Sequence, residues 1–155
     1  MRRLWIIAAL VFVIDQVSKF WVVHVLGLKA RLAIDVLPPF LNLRMAWNEG
    51  VNFGLFANGA DWARWVLIGV ALVIAVVVVI WARREPTAPV LTSAGLLIGG
   101  AMGNVVDRVI YGAVADFLNM SCCGIRNPFV FNVADIAVFF GAIGLVWFAG
   151  RDKTA

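Results

Sequence analysis

At 155 residues the chain has room for one domain, and a hydrophobic fraction of 63% with mean hydropathy +0.96 excludes a soluble fold of that size. The net charge of +4 and pI near 9.7 suggest nucleic acid, but the 13 basic residues form no stripe of the kind such binding needs. They are better read as flanks of membrane segments.

The chain opens Met1-Arg2-Arg3 and continues apolar over 4–14, the outline of a cleavable signal peptide. Asp15 and Lys19 interrupt that outline, and the apolar pattern resumes over 20–26. Residues 4–26 therefore read as a retained first span, long enough for about 30 Å of hydrocarbon at about 1.5 Å per residue. Asp15 and Lys19 stand at i and i+4, share one helix face and can pair there. Residues 27–61 are too polar to cross. Within them Leu41-Asn42-Leu43-Arg44-Met45 alternates as a half-buried strand does, after a Pro38-Pro39 turn signal. Asn48, Gly50, Asn52, Gly54, Asn58 and Gly59 argue against helix, so a small extracytoplasmic β-cradle on the membrane surface is expected.

Residues 65–82 carry no charge and are flanked by Trp62, Trp65 and Trp81, as an interfacial belt requires. Residues 90–106 make the third span, with Gly95, Gly99 and Gly103 at four-residue intervals, a ladder that lets another helix approach closely. Residues 129–149 make the fourth. Outer regions fall at 27–61 and 107–128, and 1–155 forms a single integral membrane domain. Four spans put both termini on one side. Arg2, Arg3, Arg83, Arg84, Arg151 and Lys153 would face the cytoplasm, against Lys29, Arg31, Arg44, Arg64, Arg108 and Arg126 outside. The counts are equal, and the density of the first set in short segments decides the orientation. The fold class expected is an all-α membrane protein of four transmembrane helices with the β-cradle between spans 1 and 2.

The charged interval between the third and fourth spans carries Asp107, Asp116 and Asp135 at the outer interface. Carboxylates brought to one end of membrane helices are costly and mark function. A close pair in a low dielectric shares one proton, so one member can deprotonate water while the other polarises a carbonyl. The competing reading is a set of interfacial carboxylates facing water or bonded to Arg108. Asn104 and Asn132 each precede an aspartate by three residues, which suits an orienting amide or a helix cap equally well. Arg108 reads either as the ion-pair partner of Asp107 or as a ligand for a substrate carbonyl or carboxylate. His24 is the one histidine and has no nucleophile partner; no serine lies in a G-x-S-x-G context. Cys122 and Cys123 are adjacent, which strains a bridge, since ordinary disulfides hold Cα atoms about 5.5 Å apart. No C-x-x-C spacing supports zinc or thioredoxin-like chemistry.

DQVSKFWV (15–22), NLRMAWNEGVNFGLF (42–56), GGAMGNVVDRVIYGAVADFL (99–118) and FNVADIAVFF (131–140) follow one another along most of the chain. In these blocks the chain resembles lipoprotein signal peptidase, or signal peptidase II, a bacterial inner-membrane aspartic protease. The resemblance implies a catalytic pair of Asp116 and Asp135, with Asn48, Asn104, Arg108 and Asn132 lining the substrate pocket or supporting the pair. Asp15 and Lys19 match a structural polar pair, and Asp107 falls outside the dyad. Ile136 stands where the family often has serine, and Val51 and Asn52 where many members carry small residues.

The implied activity is cleavage of prolipoprotein signal peptides before a diacylglyceryl-modified lipobox cysteine, blocked by the antibiotic globomycin. No metal, cofactor or nucleic acid is expected; the partners are prolipoproteins and membrane lipid, and the enzyme is monomeric. Both termini would lie in the cytoplasm and the site at the outer face. The alternatives are a small proton-coupled transporter using interfacial carboxylates, or a non-catalytic subunit assembling through its glycine ladder. The clustering of the aspartates at one interface disfavours the first.

Overall fold

The computed structural model describes residues 1–50, 61–124 and 127–148. Expectations resting on Val51, Asn52 and the end of the second block, on Arg126, and on residue 149, Arg151 and Lys153 fall outside that set.

Helix α1 (Arg2–Phe20) continues through a π-helical turn (Trp21–Val25), and Gly27 at φ 66° ends it in a conformation glycine adopts freely. A short α2 (Leu28–Arg31) leads into β1 (Ala33–Leu37) and β2 (Leu41–Asn48), joined across a cis Pro38–Pro39 bond. Then come α3 (Asp61–Arg84), α4 (Ala88–Tyr111), β3 (Val114–Asn119) and α5 (Val133–Phe148). By length and composition, Arg2–Val25, Trp62–Arg84 and Ala88–Tyr111 can each cross a membrane, while α5 is an apolar helix of 16 residues.

The glycine ladder explains the packing. A Cβ on Gly95 would lie 2.8 Å from the carbonyl oxygen of Leu4, and one on Gly99 would lie 2.6 Å from that of Ala8. One on Gly103 would strike the Asp15 carboxylate. These matches advance together, so α1 and α4 run parallel in contact. On its other side α4 meets α5 in the opposite sense, with Gly100 against Ala134 and Gly141 against Ser93 and Leu97. Helix α3 contributes Ala75, Val78 and Ala82 to the core with Leu4, Ala8, Val90, Ala94 and Leu145, and most of its other large side chains face outward. Arg3 Nε donates to Thr92 Oγ1 at 2.9 Å at the end opposite the sheet.

The sheet differs from expectation. It has three antiparallel strands in the order β1-β2-β3, and the third comes from the interval after α4. Val114 to Asn119 is buried at every position but one, so it lacks the alternation that reveals a strand with one wet face. The chain returning toward α5 runs along β3, with Phe131 N donating to Leu118 O at 3.0 Å and Leu118 N to Phe131 O at 2.7 Å. Helix α4 also outruns the expected end at residue 106 and stops at Tyr111, where Gly112 takes φ 83°. Asp107 and Arg108 are therefore helical: charge alone does not end a helix whose charged groups find partners inside the bundle. Cys122 and Cys123 are paired with each other, although adjacency argued against it.

Candidate active site

Asp116 lies on β3 opposite Ala46 of β2, with Asn48 two residues further along the same face. Asn48 Nδ2 donates to Asp116 Oδ2 at 3.0 Å, and Asn132 Nδ2 donates to Asp116 Oδ1. Asp135 sits in the first turn of α5. Its Oδ2 accepts from Asn132 N at 3.1 Å while Asn132 Oδ1 accepts from Asp135 N at 2.9 Å, a reciprocal cap across three residues. Asn132 thus resolves the choice between cap and orienting amide by doing both. Its backbone and amide oxygen cap α5, and its amide nitrogen serves Asp116.

Asn104, on α4, completes the bridge. Its Nδ2 donates to Asp135 Oδ1 at 2.9 Å, and its Oδ1 accepts from Asn132 Nδ2 at 3.3 Å. The carboxyls of Asp116 and Asp135 are therefore linked through two side-chain amides. Asp116 is 2% exposed. Burial, and then the neighbouring charge of Asp135, push its carboxyl up to about 6, against the hydrogen bonds from Asn48 and Asn132 that favour the charged form.

A second polar layer lies behind the first. Lys19 Nζ is 2.8 Å from both Asp15 Oδ2 and Asp107 Oδ2, and it donates to Asn104 Oδ1 at 3.2 Å. The expected Asp15–Lys19 pair is present, and Asp107 joins it from α4 rather than bonding Arg108. Arg108 Nη1 instead donates to Asn104 O at 3.3 Å. Its guanidinium sits in the field of Asp116, Asp135 and Asp107, and its Nε is buried with no partner among the described residues. Sequence reasoning missed Gln16, whose Nε2 reaches Asp15 Oδ2, Gly103 O and Asp107 Oδ1. Its one available signal was an uncharged amide one residue from a charge inside an apolar run. His24 stacks on Phe20 with centroids 5.4 Å apart, outside this network.

An open cleft of about 580 Å³ lies across the sheet and is lined by residues such as Asp35, Asn42, Arg44 and Asn127, not by Asp116 or Asp135. Acids in mutual electrostatic contact, one of them buried, mark a candidate reactive centre independently of cleft size. An apolar groove of about 310 Å³ runs between Val11, Ile14, Leu96, Val133, Ile136 and Phe140. Its walls suit hydrocarbon.

Residues 7–150 match the family described as signal peptidase (SPase) II. A lipoprotein signal peptidase of Methylobacterium sp. strain 4-46 is 41% identical over 152 residues, covering 96% of this chain and 91% of that protein. One from Caulobacter vibrioides is 39% identical over 144 residues, covering 90% of this chain and 83% of the relative. Among solved structures, a bacterial membrane enzyme determined in meso at 1.9 Å superposes with a TM-score of 0.78 at 27% identity, covering 95% of this chain and 92% of the other. None of these relatives is a carrier, and the transporter alternative finds no support in them. The chain belongs to the signal peptidase II family.

Proposed function

We propose that this member of the family is the aspartic endopeptidase that removes signal peptides from prolipoproteins, with Asp116 and Asp135 as its catalytic pair. The observation that carries the reading is the amide bridge. Two carboxyls from different elements are held against each other through Asn104 and Asn132, with Asn48 on the far oxygen of Asp116.

The pair works with one proton between its members. Asp116, whose carboxyl holds a proton up to about pH 6, is the acid, and Asp135 is the base. A water between them gives a proton to Asp135 as its oxygen attacks the scissile carbonyl carbon, while Asp116 protonates the carbonyl oxygen. The tetrahedral diol then collapses. Asp135 returns its proton to the leaving nitrogen as the C–N bond breaks, and Asp116 recovers one from a diol hydroxyl. The pair ends as it began, with no covalent intermediate. Arg108 lies beside the pair and supplies positive potential where the carbonyl oxygen gains charge.

The substrate is a prolipoprotein cut before its diacylglyceryl-modified lipobox cysteine. The apolar groove along α5, the helix that carries Asp135, supports this reading, because its walls suit hydrocarbon chains. In the same reading α5 is the fourth span, both termini are cytoplasmic, the site faces outward from the bacterial inner membrane, and a monomer suffices. Both terminal arginines of α1 and the Arg83–Arg84 end of α3 support that orientation.

The test is cleavage of a lipidated lipobox peptide by purified protein in detergent. Asp116→Asn and Asp135→Asn should each lower kcat by about 10⁴-fold, the scale on which loss of a reacting group is felt. Substantial turnover by either variant sinks the pair. The rate should also fall as pH rises through about 6, because Asp116 then loses the proton it must donate. A rate that stays flat from pH 5 to pH 8 contradicts the assignment of Asp116 as acid.

A further inference from the structure

The second polar layer touches both halves of the catalytic pair in the same way. Asp107 Oδ2 accepts from Ala115 N at 3.2 Å, the residue immediately before Asp116. Asp15 Oδ1 accepts from Ala134 N at 2.9 Å, the residue immediately before Asp135. Each buried acid therefore grips the backbone one residue upstream of one member of the pair. Lys19 holds both acids at 2.8 Å and is itself 5% exposed.

Lys19 also governs the bridge. Asn104 Oδ1 faces two donors, Lys19 Nζ and Asn132 Nδ2, which leaves Asn104 Nδ2 to face Asp135. Turned over, the amide would set its NH₂ against an ammonium and another NH₂, and its oxygen against a carboxylate. Asn132 is part of the bridge itself, so Lys19 is the fixed reference behind it.

We propose that Lys19, with Asp15 and Asp107, is a positioning device that sets the separation and facing of Asp116 and Asp135, beyond a merely structural ion pair. The ammonium ties the grip on β3 to the grip on α5, and it locks the Asn104 amide in the orientation that serves Asp135. This rests on the catalytic-pair reading of the preceding subsection.

The lipidated lipobox peptide assay tests it, run on the full-length enzyme and expressed per folded molecule counted by a thermal-unfolding transition. Lys19→Met should lower kcat by about 100-fold, the scale of an ångström-sized misplacement, with KM within about threefold. Lys19→Gln, which keeps a donor toward Asn104 Oδ1, should recover part of the loss. Affinity for a lipidated peptide with a hydroxyethylene group in place of the scissile amide should fall with kcat, because such an analogue reports the transition-state geometry. Should Lys19→Met leave two opposed acids and fail to accumulate, Lys19→Met/Asp107→Asn removes that repulsion and is measured instead.

A normal kcat per folded molecule in either variant overturns the proposal, as does a loss confined to the amount of folded protein. So does equal kcat in Lys19→Gln and Lys19→Met. Asp116→Asn and Asp135→Asn run in parallel separate the two ideas. Activity in those variants defeats the pair itself, whereas their inactivity beside a fully active Lys19 variant defeats only the positioning role.

Discussion

Helices α3 and α4 are each 24 residues long, yet the molecule uses them in opposite ways. Helix α3 is the more apolar, a run of valine, isoleucine, leucine and alanine, and most of its large side chains face outward: Val73, Val76 and Val77 are each more than half exposed. Helix α4 carries Thr92, Ser93, Asn104, Asp107, Arg108 and its four glycines in its buried or half-buried core, and it contacts α1, α3 and α5. In lipid, hydrophobicity does not drive helices together, because the solvent is as apolar as leucine. Close backbone approach and interhelical polar contacts do. The more apolar of the two is therefore the peripheral one, and the helix with more small and polar residues is the axis of the fold and carries Asn104 to the proposed catalytic pair.

Substitution of the glycines tests this contrast directly. Gly99→Leu should have the larger effect, because even its Cβ would lie 2.6 Å from the Ala8 carbonyl oxygen and α1 would have to move. Overpacking of this kind costs about 3 kcal/mol or more where backbone cannot yield. We expect a lowered unfolding temperature in detergent and loss of the α1–α4 contact, read by a cysteine cross-link between the two helices that forms in the parent protein and not in the variant. A parent-like unfolding temperature would show that the ladder is not what holds α1. Gly69→Ala on α3 should have the smaller effect. Nothing lies within 4 Å of its Cβ position, and alanine exceeds glycine in helix propensity by about 1 kcal/mol. Its unfolding temperature should be unchanged or slightly raised, and peptide cleavage should match the parent. A marked loss there would mean that α3 has a partner at that face.

The same contrast explains what could be read from the chain beforehand. The hydrophobic cores of α1, α3 and α4 were visible because length and hydropathy are local properties. So was the glycine ladder, and the Asp15–Lys19 pair lies within one helix turn. What stayed hidden was tertiary. Asp107 bonds Lys19 across 88 positions of sequence, which spacing within 104–135 cannot suggest, so Asp107 looked as plausible a catalytic group as Asp116. The strand carrying Asp116 was hidden because it is buried on both faces and shows no period of two. The family motifs separated the aspartates where spacing could not, and the structure places them in different surroundings. Asp116 and Asp135 face the amide bridge, while Asp107 faces an ammonium and a backbone N–H.

The parallel packing of α1 on α4 has a consequence for biogenesis. Helix α1 is made before the other elements described, but its main partner is the third long helix, so α1 would wait in the bilayer while the sheet strands and α3 are synthesised. A bare carboxylate or ammonium in that interval would resist insertion. Asp15 and Lys19, four residues apart on one face, neutralise each other without help from the rest of the chain. The pair that sits behind Asp116 and Asp135 would thus also let α1 enter lipid early, with no net charge through its apolar body. Only when α4 arrives does Asp107 convert that insertion device into part of the site.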